Sequence, residues 1–288
     1  MQDPKKTSFK VLKNSGEEQD FSKTKLQKSL EHTCLSPDSC ASITEEVSRE
    51  ISPTTSSNDI FRKTSSLLSK KSRLAAVQYS LKRSIFDLGP EGHHFETFVA
   101  RYFEELEYST FECATVQGHF VKHEIDVIAT RPKEKIYVEC KFHNRLGIKN
   151  DIKVALYVKA RWDDLRDGPD GRNITGFFLA SNTSFTLDAI TYAKGTGLHL
   201  LGVNAPEKSS FLDEIKRLKL YPITSLTTLN HFLKRQLLSK KIVVANDLLI
   251  HKNVLKELGC TQEQLNEICD EVCFLTKDSC ENTILGCH

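Results

Sequence analysis

Two apolar runs joined by a turn signal constrain the fold of this chain more than any other feature. They lie in residues 121–142, which read VKHEIDVIATRPKEKIYVECKF. Apolar and β-branched residues predict one strand over residues 124–130 and a second strand over residues 136–142. The segment RPKE at residues 131–134 supplies the turn between them. The pattern therefore predicts two neighbouring strands of one sheet.

Charged residues interrupt these otherwise apolar strands. Because side chains alternate across a strand, Glu139 and Lys141 share one face while Cys140 points the other way. A carboxylate and a lysine on an apolar strand are costly to bury unless they meet a partner. Asp126 on the neighbouring strand supplies that partner, and we expect the contact to run through a metal ion.

The spacing Asp126-x(12)-Glu139-x-Lys141 resembles the motif of the PD-(D/E)xK nucleases, and its surroundings resemble their Mrr-like branch. In that family two acidic groups hold Mg²⁺, and the lysine helps to activate the attacking water. The resemblance implies that Asp126 and Glu139 bind Mg²⁺ or Mn²⁺. It also implies that Lys141 orients or activates the water and stabilises the charged phosphate.

An amphipathic helix is predicted just before the strands, in the segment GHHFETFVARYFEELEY. Mrr-like proteins carry a glutamate near the start of this helix, and Glu96 matches it, which implies a further acidic contribution. The alternative is a solvated first-turn carboxylate favoured by the helix dipole. In a regular strand Glu124 shares the face of Asp126, so we expect it beside the site, whereas His123 points away as a structural residue.

The rest of the central region resembles a restriction-endonuclease-like core. Residues 174–180, ITGFFLA, show little alternation, which is expected of a strand covered on both faces. The other predicted elements are helix 151–165, helix 186–193 and strand 198–203. Their order implies a mixed sheet flanked by helices. The family often keeps small polar residues near the site where Asn182 and Thr183 lie, but we interpret these two as helix caps.

The N-terminal third is predicted as a separate unit made of a small hairpin and four helices. Two short strands flank the hairpin turn signal NSG at residues 14–16. Ser22 caps the first helix, and residues 53–56 separate the second helix from the third. The fourth helix is expected to end at the Gly-Pro pair at residues 89–90.

This arrangement resembles the ATP-cone, the nucleotide-sensing module of ribonucleotide reductases and of their transcriptional repressor. The matches, over residues 9–87, are Val11-x-Lys13-x-x-Gly16, Phe21-x-x-x-Lys25, Thr54-Thr55-Ser56 and Tyr79-x-Leu81-x-Arg83. The resemblance implies that Lys13 and Lys25 contact the triphosphate of ATP or dATP. It also implies a pocket lined by Val11, Thr54 and Thr55. The alternative is that the two lysines are plain surface charges.

Composition and charge narrow the class of protein. The chain has 288 residues, a formal net charge of +2 and nine cysteines without a CxxC pair. Scattered cysteines suit a reducing cytoplasm, the polar N-terminus predicts no secretory signal, and no apolar run reaches membrane-spanning length. Because the net charge is close to zero, nucleic-acid contact must come from local basic patches. The alternative interpretation of such a patch is a solvated helix face. The candidate patch consists of Lys141, Arg145, Lys149, Lys153, Lys159 and Arg161.

The chain is predicted to contain three regions. They are an ATP-cone over residues 1–88, a nuclease domain over residues 89–206 and a C-terminal helical region over residues 207–288. Helices of the last region are predicted at about residues 226–238, 248–258 and 262–275. The link LGCT at residues 258–261 resembles that of a helix-hairpin-helix DNA module. Packing against the nuclease core and dimer formation are equally open.

These features predict a multidomain α/β protein that is a metal-dependent DNA endonuclease regulated by ATP or dATP. The expected partners are DNA, an adenine nucleotide effector and, in a homo-oligomer, a second copy of the chain. Two alternatives stay open. One is a nucleotide-responsive regulator whose nuclease-like domain only binds DNA. The other is a protein whose cone controls oligomerisation without nuclease activity.

Overall fold

The computed structural model describes residues 10–12, 18–52, 55–145 and 147–276 of the chain. Within these ranges the chain forms two compact units, residues 10–81 and residues 82–276. Each unit has its own apolar core. Among the described residues, no helix is both long enough and apolar enough to cross a membrane.

The first unit begins with the predicted hairpin and continues with the four predicted helices. Strand β1 (Lys10–Leu12) pairs antiparallel with β2 (Glu18–Asp20). The turn signal at residues 14–16 lies outside the described residues. The helices are α1 (Lys23–Glu31), α2 (Pro37–Arg49), α3 (Ser57–Lys71) and α4 (Arg73–Phe86). The part of α4 from Lys82 onward belongs to the second unit.

Serine caps mark the starts of three of these helices. Ser22 and Ser36 each accept a hydrogen bond from a backbone N–H of the first turn. Ser56 forms a capping box with Asp59, which satisfies two backbone donors at the start of α3. The core under the helices includes the buried side chains of Leu30, Cys40, Ile43 and Leu68.

A five-stranded mixed sheet forms the centre of the second unit. The first elements are α5 (His93–Glu104), β3 (Ser109–Gln117), β4 (Lys122–Arg131) and β5 (Glu134–Lys141). They are followed by β6 (Lys149–Asn150), α6 (Ile152–Arg166), β7 (Gly176–Ser181), β8 (Ser184–Phe185), α7 (Leu187–Thr196) and β9 (His199–Leu201). The sheet order is β3-β4-β5-β7-β9, and the predicted mixed sheet flanked by helices is confirmed.

The direction of the strands follows from their connections. Tight turns join β3, β4 and β5 in antiparallel pairs, whereas α6 and α7 allow β7 and β9 to run parallel to β5. The strand β7 is buried along nearly all of its length, as its unbroken apolar run predicts. The short strands β6 and β8 form a separate parallel pair.

Helices make up most of the C-terminal part of the second unit. They are α8 (Phe211–Arg217), α9 (His231–Ser239), α10 (Asp247–Ile250), α11 (Lys252–Glu257) and α12 (Gln262–Thr276). The predicted helix over residues 226–238 is wrong at its start. The backbone N–H groups of Thr227 and Thr228 donate to the carboxylate of Glu271 at 2.9 and 2.8 Å, which leaves this segment outside the helix.

Two further differences concern helix boundaries in this part of the chain. The predicted helix over residues 248–258 is two short helices, because His251 between them adopts φ −98° and ψ 37°. Helix α8 has no counterpart among the predicted helices. Its sequence signal is the capping box that Ser210 forms with Asp213.

Candidate active site

The hairpin of β4 and β5 opens at the end where the charged residues lie. The last pair of its antiparallel register is Val127 opposite Val138. One position further, Oδ2 of Asp126 accepts a hydrogen bond from the backbone N–H of Cys140 at 2.6 Å. A side-chain carboxylate therefore takes the place of a backbone partner, and the two strands separate around it.

The other edge of β5 is held by β7. The parallel register runs through Glu139 opposite Leu179 to Lys141 opposite Ser181. The Ser181 hydroxyl also donates to the backbone carbonyl of Lys141 at 2.7 Å. At the end of β5 that carries Glu139 and Lys141, the edge facing β7 is therefore paired, whereas the edge facing β4 is open.

Glu139 is largely buried, with 18% of its side chain exposed, and forms an ion pair with the Arg161 guanidinium of α6. Arg161 also donates to the backbone carbonyl of Glu124, so it joins α6 to both strands of the hairpin. Burial, and after it the charge of Asp126, raise the pKa of Glu139 to about 7. Burial also raises the pKa of Asp126. These two carboxylates therefore favour a nearby cation.

Glu96 lies in the first turn of α5 and is partly buried. Burial, and after it the charge of Asp126, raise the pKa of Glu96 to about 7. The Cys113 thiol donates to Oε2 of Glu96 at 3.8 Å. The structure therefore brings Glu96 into the neighbourhood of Asp126, where its carboxylate is partly buried.

The remaining predicted residues lie around this opening. Lys141 and Glu124 are exposed, and the Glu124 charge contributes to the raised pKa of Asp126. His123 is directed elsewhere, because its Nε2 lies 2.7 Å from Oδ2 of Asp164 on α6. It joins the start of β4 to that helix, which agrees with a structural role.

Asn182 and Thr183 are not helix caps, because Thr186 caps α7. The Asn182 side chain exchanges two hydrogen bonds with the backbone of His143, at 2.9 and 3.0 Å. Thr183 accepts a hydrogen bond from the Asn150 side chain at 3.1 Å. These buried groups instead tie the end of β7 to the segment that follows β5.

Comparisons with known proteins cover the central and C-terminal parts of the chain. Residues 90–205 match the family described as restriction endonuclease, and residues 221–275 match the family described as AF1548-like, C-terminal. An uncharacterized protein from Archaeoglobus fulgidus is 32% identical over 174 residues, which cover 60% of this chain and 97% of that protein. The chain belongs to the AF1548-like family.

A solved structure agrees with this assignment. A crystal structure described as that of a protein of unknown function, AF1548, is similar to this chain with a TM-score of 0.52 and 31% identity. The similarity covers 62% of this chain and 95% of that one. The predicted restriction-endonuclease-like domain is therefore confirmed, and in this AF1548-like chain the C-terminal domain of the family follows it.

The donor set of the AF1548-like chain suits Mg²⁺. Among the described residues, no group of three or more His, Cys, Asp or Glu side chains is placed to hold a metal ion. Mg²⁺ does not need such a cage, because it keeps several waters and is usually bound through one or two carboxylates and the substrate phosphates. Asp126 and Glu139 provide two carboxylates whose mutual repulsion a divalent cation would relieve.

The predicted basic patch is smaller than the sequence indicates. The structure pairs Arg161 with Glu139, and it pairs Lys159 with Asp163 at 2.5 Å. The Lys159 pair is a local i,i+4 contact, whereas the Arg161 pair has no local sequence signal, since the arginine lies 22 residues beyond its glutamate. The patch members that remain exposed are Lys141, Arg145, Lys149 and Lys153.

The predicted nucleotide-binding residues are spread over β1, α1 and the turn before α3. Lys13 and Thr54 lie outside the described residues. Val11 is buried in the core of the first unit, and Lys25 is exposed on α1. The Thr55 hydroxyl accepts a backbone hydrogen bond within its own turn at 2.9 Å.

A cavity of about 290 Å³ lies beside Thr55, between α2 and α3. Its charged lining consists of Glu50, Asp59 and Lys63, and Lys63 pairs with Glu50 at 2.8 Å. This lining has one more carboxylate than ammonium. A triphosphate bound in this cavity would therefore need positively charged side chains from outside the lining. Lys13 and Lys25 are the predicted candidates.

Proposed function

We propose that the chain is a metal-dependent nuclease that hydrolyses phosphodiester bonds in DNA. The observation that carries the proposal is the opening between β4 and β5. There Asp126 of β4 lies beside Glu139 of β5, and Lys141 follows Glu139 on β5. The match of residues 90–205 to restriction endonucleases supports the same class of reaction.

Each acidic residue has a part in this proposal. Bound Mg²⁺ or Mn²⁺ would stabilise charge on the phosphate and make a bound water more acidic. Asp126 and Glu139 would hold the cation, and Glu96 would add a third acidic group beside Asp126. Glu124 stands next to them and adds to the negative potential that attracts a cation.

Lys141 has the properties that the water-activating role requires. It is exposed at the opening, and its charge acts on Glu139. From this position it would orient the attacking water and stabilise the negative charge that develops on the phosphate. Arg161 is already paired with Glu139, so we assign it the role of positioning that carboxylate.

The experiment that tests this function is incubation of plasmid and single-stranded DNA with Mg²⁺ or Mn²⁺, with and without ATP and dATP. Cleavage that requires the metal supports the proposal. DNA binding without cleavage under every condition would instead support the regulator that lacks nuclease activity.

We also propose that the first unit is an ATP-cone that binds ATP or dATP and regulates the nuclease. A small hairpin followed by four helices supports this. We place the cone within residues 1–88, the nuclease domain within residues 89–206 and the helical region within residues 207–288. A cytoplasmic setting and a nucleotide-controlled homo-oligomer complete the proposal.

Thermal unfolding tests the nucleotide site. ATP or dATP should raise the melting temperature of the wild type, because a ligand at 100 times its Kd stabilises the folded state by about 2.7 kcal/mol. The double variant Lys13→Ala, Lys25→Ala should lose most of this shift. Lys28→Ala is the matched control, since Lys28 is exposed on the same helix as Lys25. Equal shifts in the wild type and the double variant would rule out these lysines as triphosphate contacts.

A further inference from the structure

A second site is indicated in the second unit by a cavity of about 460 Å³. One wall comes from the end of α4 and from Gly89 and Pro90, which precede α5. The opposite wall is one face of α9, and Asn144 closes the cavity from the segment after β5. The cavity therefore lies where the C-terminal helices meet the nuclease domain.

Basic side chains dominate the charge of this cavity. Its wall on α9 carries His231, Lys234 and Arg235, whereas Asp87 is its one acidic lining residue. Arg235 is exposed and makes no ion pair with any residue that the structure describes. The cavity therefore has a surplus of positive charge.

The amine of Lys234 is held in place within the cavity. Its Nζ donates to the backbone carbonyl of Thr224 at 2.9 Å, which leaves further N–H donors of the ammonium. Burial lowers the pKa of Lys234 and raises the pKa of Asp87, so both charges are incompletely solvated. An anion bound between Lys234 and Arg235 would offset this cost for the ammonium.

The cavity is also close to the candidate active site. Asn144 follows Lys141 by three residues, and its side chain donates to the carbonyl of Pro90 at 3.2 Å. The ring of Phe142, directly after Lys141, stacks on the cavity residue Phe86 with centroids 6.3 Å apart. Three residues span at most about 11 Å. Measured along the helix axis, where one DNA strand carries a phosphate about every 3.4 Å, this upper limit on the Lys141–Asn144 separation corresponds to at most about three nucleotides.

The C-terminal helices are held against the nuclease domain by a specific contact. Nη2 of Arg101 on α5 lies 2.8 Å from Oδ1 of Asp247 at the start of α10. Both side chains are mostly buried, with 29% and 12% exposed. The basic face of α9 is therefore held in the same compact unit as the candidate catalytic residues.

We propose that Lys234 and Arg235 bind a backbone phosphate of the nucleic-acid strand within about three nucleotides of the phosphate at the catalytic opening. This inference rests on the proposed nuclease function and gives the C-terminal domain a part in it. A free nucleotide could present the same phosphate chemistry. A backbone phosphate fits better, because the cavity adjoins the segment that follows the catalytic strand.

The test is DNA binding in Ca²⁺ without cleavage, measured by fluorescence anisotropy with a labelled 20-base-pair duplex over a series of salt concentrations. Lys234→Gln and Arg235→Gln should each weaken binding about fivefold or more and reduce the salt slope by about one. Lys240→Gln removes the same charge from the end of α9 outside the cavity, and it should leave both quantities nearly unchanged. Thermal unfolding establishes that each variant is folded.

A second arm distinguishes the two sources of phosphate. ATP and inorganic phosphate are titrated into the Lys13→Ala, Lys25→Ala variant, with and without Arg235→Gln, so that the proposed cone site does not contribute. Loss of ATP binding with unchanged DNA affinity would overturn the nucleic-acid assignment and leave a site for free nucleotide. Unchanged DNA affinity and salt slope in both cavity variants would also overturn the proposal. Because this readout needs no cleavage, it stays informative if the wild type proves to have no nuclease activity.

Discussion

Lys141→Ala should reduce metal-dependent DNA cleavage at least about 100-fold, the effect expected when one group that stabilises transition-state charge is removed. Because Lys141 is exposed, its truncation should change the free energy of unfolding by less than about 0.5 kcal/mol. DNA affinity in Ca²⁺ should stay close to that of the wild type. The cleavage rate is measured with the substrate and metal that the wild type prefers.

Lys133→Ala is the matched control for this variant. Lys133 is an exposed lysine in the turn at the other end of β5, on the same hairpin. Its removal should leave the cleavage rate within about twofold of the wild type, because substitutions of exposed residues away from the active site and the core have small effects. Undiminished cleavage by Lys141→Ala would exclude the lysine from the site, even if the protein proved to be a nuclease.

Glu271→Ala should lower the free energy of unfolding of the second unit by about 3 kcal/mol or more, because buried donors would lose their partner. Glu271 is fully buried on α12. The backbone N–H and hydroxyl groups of both Thr227 and Thr228 donate to its carboxylate, at 2.6 to 3.1 Å. Chemical denaturation followed by circular dichroism measures the change.

Glu267→Ala is the control, because Glu267 lies one helical turn earlier and is exposed. The pH dependence gives a second check. Burial alone would raise the pKa of Glu271, but hydrogen bonds from Thr228 and Thr227 outweigh it and lower the pKa below its ordinary value of 4.5. The stabilisation is therefore fully present above about pH 4.5 and is lost as the pH falls further. A wild type and a Glu271→Ala variant of equal stability at pH 7 would contradict this account.

The parts of the fold that the sequence predicts well depend on local patterns. The hairpin of β4 and β5 follows from alternating apolar residues and a turn signal, and strand geometry then places Glu139 and Lys141 on one face. The starts of α1 and α3 follow from Ser22 and Ser56, which are local caps. In each case the residues that determine the structure lie within a few positions of it.

The parts that the sequence does not predict depend on distant partners. Thr227 and Thr228 stay outside α9 because they bond a carboxylate on α12 that lies 44 residues beyond Thr227, and Asn230 then caps the helix. Asn182 bonds the backbone of His143 instead of capping a helix, and 39 residues separate the two. The ion pair of Arg161 with Glu139 is also a long-range contact, because only the folded chain brings the two side chains together. Propensity and spacing carry no information about such long-range contacts.

The most direct test of the central claim is the cleavage of labelled DNA as a function of Mn²⁺ concentration, by the wild type and by Asp126→Asn. The variant keeps the size and shape of the side chain but removes the charge that would hold the metal. We expect saturable, metal-dependent product from the wild type and none above background from Asp126→Asn, with both proteins equally folded. Equal product from the two proteins, or cleavage by the wild type that needs no metal, would contradict a metal-dependent nuclease centre at the opening between β4 and β5.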